Sequence, residues 1–368
     1  MITGTAKLPL HFGKAPYWLM KRMKALAKEM TKLIIDYKGQ KYFFKLISNP
    51  YWFQSFGCVL GFDWHSSGLT TTTIGALKSI NNEELDIKVA GGKGKSKEIP
   101  KEIEELSLKM NLKSTKINAL KYYSRMSAKV DNVLVQDDFN LYHHSIIFSD
   151  KYWAVVQQGK DNNWARRYHW LSDNVKKITL EPHSGIKSEI TRKNVLNMTN
   201  RENKEHQQIS VDLVNDNPTH WFKYFSKQRT LTQFCEIKDN VQQNQINLPK
   251  HHHISFFKLS KQTRETLKKA YEIKPKDYEE LVAIKGLGKS SIRALALVSE
   301  LIYGKELSWK DPAKFSYAHG GKDGTPFLVN RQNYDKTINF LKDTIYELSL
   351  NRREKEYALM RLAKIMEN

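Results

Sequence analysis

Polar and ionisable residues recur in this sequence where strand-rich segments call for apolar ones. Asp63 and His65 stand in FDWHSSG, Gln136, Asp137 and Asp138 in LVQDD, and His143 and His144 in LYHHSIIFS. Gln157 and Gln158 follow in WAVVQQG, Arg166, Arg167 and His169 in ARRYHWLS, and His183 in EPHSG. Burying such groups is costly unless they pair or hold a ligand, so their convergence would mark a site. Three chemistries suit them. Carboxylates on neighbouring strands would hold Mg²⁺ or Mn²⁺, which activates water against a phosphodiester while a lysine orients it. Asp138 is the first acid in that reading, but Gln158-Gly159-Lys160 offers Gln-x-Lys where restriction-type nucleases carry acid-x-Lys. A metal bound by imidazole would draw on His143, His144 and His169 with an aspartate, and the ligand pair expected is Asp138 with His143. A metal-free hydrolase would use His65 or His169 as general base or acid. The expected catalytic set is Asp63, His65, Asp138, His143, His144, Gln158, Lys160, Arg167 and His169. Against it stands the plainer alternative that each is a hydrogen-bonded residue at a sheet edge or turn.

A second constellation lies in KPKDYEELVAIKGLGKSSIRALALVSELIYG. Asp277 followed by Glu280 forms a capping box that starts a short helix over 278–284. Lys285-Gly286-Leu287-Gly288 then makes a tight hairpin whose glycines permit backbone angles closed to other residues, with Leu287 plugging two helices together. The next helix, 289–303, places Ile292, Leu295, Val298 and Ile302 inward and ends at Gly304. Its amino end, with Lys285, Lys289, Ser290 and Arg293 nearby, would bind a nucleic-acid phosphate through backbone N–H groups, the helix dipole and added charge. The residues expected on DNA are Lys285, Gly286, Leu287, Gly288, Lys289, Ser290 and Arg293. Such contacts read no bases, so binding would be sequence-independent and salt-sensitive.

The elements that must position these residues are legible in outline. Residues 16–38 carry Leu19, Met23, Leu26, Ala27, Met30, Leu33 and Ile34 at helical spacing, an amphipathic helix with a basic back. Residues 49–76 are rich in aromatics, and Trp52, Phe53, Trp64 and Trp170 are candidates for stacking on unpaired bases. GGKGKSKEIPKE, 91–102, reads as a polar loop, but a Walker phosphate loop is excluded because Val89 and Ala283 stand where its first glycine is required. VDNVLVQDD, LYHHSIIFS and YWAVVQQ read as strands of a small sheet, and 187–245 as polar and mostly helical. VQQNQINLPKHHH reads as a connector, its three adjacent histidines as surface or capping residues, and a long charged helix is expected from 334 to 366. The expected fold is α+β: a mixed domain over 1–255, a helix-hairpin-helix region over 256–310, and a C-terminal loop and helix over 311–368.

With 60 Lys and Arg against 39 Asp and Glu, the 368-residue chain carries a net charge of +21, which points to a polyanion partner. Two cysteines, Cys58 and Cys235, exclude a disulfide framework and fit a reducing cytoplasm. No run of residues approaches the ~20 apolar positions of a membrane span.

The stretches LPLHFGKAP, FDWHSSGLTTTTIGALK, VAGGKGK, LVQDD with LYHH, WAVVQQG, ARRYHWLS, EPHSGI and SYAHGGKDGTPF together resemble an archaeal and bacterial family defined as domain of unknown function 763, over about 5–338. The resemblance implies an archaeal-type cytosolic protein with a helix-hairpin-helix near its C-terminus, and it brings no catalytic residue with it. The function expected is a DNA-processing enzyme, a divalent-metal-dependent nuclease on structured, damaged or single-stranded DNA. The alternatives are a non-catalytic DNA-binding or repair scaffold and a DNA glycosylase. Asp311 is the nearest candidate for a glycosylase aspartate, although DPAKFSYAHGGKDG departs from that family's pattern.

Overall fold

The apolar stripe near the amino end folds as α1 (Tyr17–Lys38), with Met23, Leu26, Ala27, Met30 and Ile34 buried and Gly39, at φ 79°, ending the helix. The computed structural model describes residues 15–62, 68–82, 85–94, 97–161, 164–188, 190–222, 225, 259–313, 353, 356 and 360. It is an α+β protein. The helices that follow are α2 (Gln40–Ile47), α3 (Pro50–Val59), α4 (Leu69–Leu77), α5 (Ile99–Lys109), α6 (Ser114–Lys129), α7 (Lys204–Asn215), α8 (Thr219–Phe222), α9 (Lys261–Ile273), α10 (Tyr278–Ala283) and α11 (Lys289–Tyr303). The strands are β1 (Lys88–Lys93), β2 (Val135–Gln136), β3 (Asn140–Phe148), β4 (Trp153–Asp161), β5 (Trp164–Leu171), β6 (His183–Ser188) and β7 (Leu196–Asn197).

Contacts divide the chain into two compact units, one of Met1–Asn132, Asp137–Lys193 and Asp311–Asn368, the other of Val133–Gln136 and Asn194–Lys310. The boundary expected near 255 lies outside the described residues, as do the three adjacent histidines. So does the helix expected over 334–366, apart from residues 353, 356 and 360, which are helical.

The first unit is built on an antiparallel five-stranded sheet in the order β1-β3-β4-β5-β6. Helices α1 to α4 pack their apolar side chains, Phe43, Phe53, Phe56 and Ile74 among them, against one face of it, where Val89, Ile147, Ala154 and Val156 meet them. Helix α6 packs on the other face, against β3 and β4. The outer edge of β1 is covered rather than left open to another strand. Asn81 accepts from the Val89 N–H and donates to its carbonyl, both at 2.7 Å, and Glu102 of α5 accepts from the Gly91 N–H at 2.7 Å. Side chains thus do the pairing that a sixth strand would otherwise do.

In the second unit α7 packs on α9, α10 and α11, and β2 pairs with β7. Helix α11 is buried on nearly every side from Ser291 to Glu300.

Local expectations and structure differ at four places. Residues 130–134, which pattern as a strand, form a π-helical turn, and only Val135–Gln136 pair. The apolar Val130, Val133 and Leu134 are buried in that turn, so burial alone produces the strand-like pattern. The polar loop expected over 91–102 contributes Gly91, Gly92 and Lys93 to β1 and starts α5 at Ile99. Residues 165–171 of ARRYHWLS and 183–185 of EPHSG lie in two further strands, β5 and β6, and the buried Arg166, Arg167 and His169 disguise the first of them. Ile302, expected inward, is 46 % exposed, because α11 outruns its packing partners in the last turn.

Candidate functional site

Strand register sorts the polar constellation onto two faces of the sheet. Cross-strand partners share a face, so the pairs His143↔Gln158, Gln158↔Arg167 and Arg167↔Lys187 form one row across β3, β4, β5 and β6. His169, two residues along β5, lies on the same face. The next row, His144↔Gln157 and Gln157↔Tyr168, lies on the opposite one. The register shift between Leu141 and His143 sets this assignment, because a bulge resets the alternation of side chains.

The first face carries four of the expected catalytic residues, His143, Gln158, Arg167 and His169, all buried. Arg167 donates from Nε to His169 Nε2 at 2.8 Å, from Nη1 to Thr70 Oγ1 at 3.1 Å, and from Nη2 to Gln54 Oε1 at 2.9 Å and the Pro50 carbonyl at 3.2 Å. Its guanidinium lies over the Phe53 ring, 4.6 Å from the centroid. His169 Nδ1 donates to the Ile47 carbonyl at 3.3 Å, which leaves Nε2 as the acceptor that Arg167 uses. Burial and the Arg167 charge hold the His169 imidazole well below its usual pKa, hence neutral. Gln158 donates to the Tyr142 hydroxyl at 2.6 Å.

His143 is different. Its side chain is 1 % exposed and, among the described residues, neither ring nitrogen has a hydrogen-bond partner. Burial, then the nearby His144, Lys78 and Arg167, push its pKa down to about 3, so the ring is neutral. A buried polar group left unpaired costs ~1–3 kcal/mol and calls for an explanation. Lys187, fully buried in the same row, escaped the sequence reading; its signal is its register with Arg167, which is visible only once β5 and β6 are paired.

The opposite face is a saturated network. Asp131, in the π-helical turn, accepts from Gln157 Nε2 at 2.5 Å, from Trp170 Nε1 at 2.9 Å and from His183. His144 donates from Nδ1 to Gln157 Oε1 at 2.7 Å and accepts the Ser124 hydroxyl on Nε2 at 2.8 Å. Asp137 accepts from Tyr168 at 2.6 Å and Arg166 at 2.8 Å. Arg166 also spans both oxygens of Asp311 at 2.9 and 2.7 Å, which makes the expected glycosylase aspartate one half of a buried bidentate ion pair. These groups hold one another, which is a structural role.

Asp138 is exposed at φ 68° in the turn before β3, and Lys160 is exposed at the far end of β4. Asp63, His65 and Trp64 lie outside the described residues. Trp52, Phe53 and Trp170 are at most 2 % exposed and belong to the interior, not to a base-stacking surface. Among the described residues no group of three or more His, Cys, Asp or Glu side chains is placed to hold a metal ion.

In the second unit Asp277 caps α10 by accepting the Glu280 N–H at 2.8 Å, while Glu280 accepts the Lys276 N–H at 2.8 Å. Residues 284–288 turn the chain into α11. Gly286 takes φ +91°, Leu287 is 2 % exposed, and Lys285, Gly286 and Ser290 are exposed. Gly288 is the N-cap of α11 and has no side chain to occupy the first-turn N–H groups. Gln136 donates to the Lys289 carbonyl at 3.0 Å and ties the turn to β2. Arg293 is half-buried, its guanidinium 5.9 Å from the Trp309 ring centroid.

Among the described residues no helix is long and apolar enough to cross a membrane. Neither a curated protein nor a solved structure matches the chain. Residues 4–329 match the family described as "Protein of unknown function (DUF763)", and the chain belongs to that family.

Proposed function

We propose that this protein binds the phosphate backbone of nucleic acid, DNA in the first place, through Lys285–Arg293. The observation that carries the reading is the amino end of α11: a glycine cap with no competing side chain, an exposed Gly286 at φ +91°, and exposed Lys285 and Ser290 beside it. Free first-turn N–H groups and the positive end of a helix dipole suit a phosphate oxygen, and Lys289 and Arg293 add charge. The net charge of +21 supports a polyanion partner. Such a protein works in the cytoplasm, as its two cysteines suit.

Fluorescence anisotropy with single-stranded, duplex and forked DNA, and with matched RNA as competitor, tests this. Gly286→Val with Gly288→Val is expected to weaken binding at least ~10-fold, and Lys285→Glu with Ser290→Glu, at exposed positions that leave the fold intact, by a similar factor. Unchanged affinity in the charge-reversed variant overturns the reading.

A second reading, phosphodiester cleavage, is favoured by one observation, the neutral His143 in a row with Arg167 and Lys187. The neutral imidazole would orient an attacking water by accepting its hydrogen bond, and the Arg167 charge would steady the charge that develops on the phosphate. Cleavage of labelled DNA with Mg²⁺, Mn²⁺ or EDTA, in wild type and His143→Ala, decides it. No cutting by wild type under any of these conditions removes the enzyme and leaves the binding protein.

A further inference from the structure

A cleft of about 710 Å³ in the first unit, on the face that carries His144, plays no part in the hairpin reading and shares with the cleavage reading only His143, one of its lining residues. One wall is a stripe of α6 and the turn after it: Asn118, Lys121, Tyr122 and Arg125 at the i, i+3, i+4 and i+7 positions of one helix face, and Asn132 seven residues further on, in the π-helical turn. Those side chains are exposed or half-buried, in contrast to the apolar Ile117, Leu120 and Met126 on the helix's packed side. The other wall is Leu141 to His144 of β3, and Ile99 and Pro100 close one end. Gly92 and Gly94 form the lip. Both have positive φ, and among the described residues a Cβ at either would meet nothing within 4 Å, so a ligand can come up against the bare backbone.

Among the described residues the charge lining this cleft has one sign: Lys121 and Arg125 line it and no Asp or Glu does. Lys121 is bridged to Glu104 at 2.7 Å, outside the lining. Lys129, one turn beyond Arg125, is pushed down to about 8 by burial and by the Arg125 charge. The π-helical turn at the rim does two things at once: it sends Asp131 inward to the Gln157, Trp170 and His183 network and leaves Asn132 exposed on the cleft. Inserted turns of this kind recur where a helix has been shaped for a site. The side chains therefore provide two cations for an anionic group, an aromatic and aliphatic wall of Tyr122, Leu141 and Pro100 for a flat ring, and two amides, Asn118 and Asn132, for the polar edge of that ring. The volume falls in the range of about 300–1,000 Å³ usual for small-ligand pockets.

We propose that the cleft between α6 and β3 binds a nucleoside monophosphate, with Lys121 and Arg125 on the phosphate, Tyr122 and Leu141 against the base, and Asn118 and Asn132 on its edge. That moiety is either a free nucleotide or the phosphorylated end of a strand. The proposal does not rest on the α11 hairpin, which belongs to the other unit.

Isothermal titration of the full chain with the ribo- and deoxyribonucleoside monophosphates, their nucleosides, inorganic phosphate, and short oligonucleotides with and without a 5′-phosphate tests it. At least one monophosphate is expected to bind with a Kd below ~1 mM and at least ~10-fold more tightly than its nucleoside or phosphate alone. Arg125→Ala and Asn132→Ala, both at exposed positions, should each weaken it ~10-fold while leaving the thermal melt unchanged, and the Gly286→Val, Gly288→Val variant should bind it as wild type does. A 5′-phosphorylated oligonucleotide that binds more tightly still, in an Arg125-dependent way, assigns the strand end, and the reverse order assigns the free nucleotide. No binding by any monophosphate at ~10 mM, affinity unchanged in both cleft variants, or loss of binding in the hairpin variant overturns the proposal.

Discussion

His143 and His144 are neighbours in sequence with opposite surroundings, and their substitutions should part accordingly. Among the described residues His143 has no partner on either ring nitrogen, so His143→Leu removes an unpaired buried polar group and is expected to leave the melting temperature unchanged or raised. His144 is bonded to Ser124 and Gln157, and His144→Leu should cost ~1–3 kcal/mol by stranding them, measured by denaturant unfolding. The same residues set a pH dependence. Burial lowers the pKa of His143, His144 and His169 in the folded chain, whereas the unfolded chain titrates near ~6.5. Their stability contribution is therefore whole above pH ~6.5 and lost as pH falls below it, toward about 3 for His143, because the unfolded state takes up protons that the folded state refuses. Each contributes up to ~1.4 kcal/mol per pH unit across its window, so unfolding free energy at pH 5 should lie below that at pH 7; equal values would show that these rings are accessible to protons.

Glycines and caps carry the argument at the level of the element. Gly91 has φ +95°, and a Cβ there would stand 2.3 Å from the His144 carbonyl oxygen, in the backbone of the neighbouring strand. Gly91→Ala should destabilise the first unit by at least ~2 kcal/mol, since both the dihedral and the clash oppose it. Gly286 shares the sign of φ, but its added Cβ would meet only Thr266, at 3.8 Å, so only the dihedral resists there. That difference explains why β1 needs its glycine for packing while the hairpin needs its own for the turn. Asp277→Ala removes the α10 cap and should cost about 1 kcal/mol of second-unit stability, followed by amide exchange in 278–284.

For the whole molecule, the +21 charge makes affinity for nucleic acid a function of salt. Three hairpin cations on phosphates, Lys285, Lys289 and Arg293, correspond to a slope of log Kobs against log salt of about −3, and Lys285→Ala should reduce it by about one. Scrambling the base sequence should leave affinity within ~3-fold, because backbone contacts carry no sequence information. A steep preference for one sequence would mean that another surface does the binding.

Local signals were enough for much of this molecule. The α1 stripe, the Asp277 cap, the glycine turn and the Gly304 stop can all be read from the sequence because each is decided by residues within four positions of one another. The charge balance, likewise, is a property of composition. The candidate site was legible only as a collection of polar residues. Which of them meet depended on one register shift in β3, which sends His143 toward Gln158 and Arg167 and His144 toward Gln157 and Ser124. Pairing between distant strands also decided that Asp137 is buried against Arg166 while Asp138 is exposed, and that Trp52, Phe53 and Trp170 are interior. Strand pairing and burial are made by residues far apart in the chain, and nothing in the local pattern of a polar or aromatic residue states which partner it will find across the sheet.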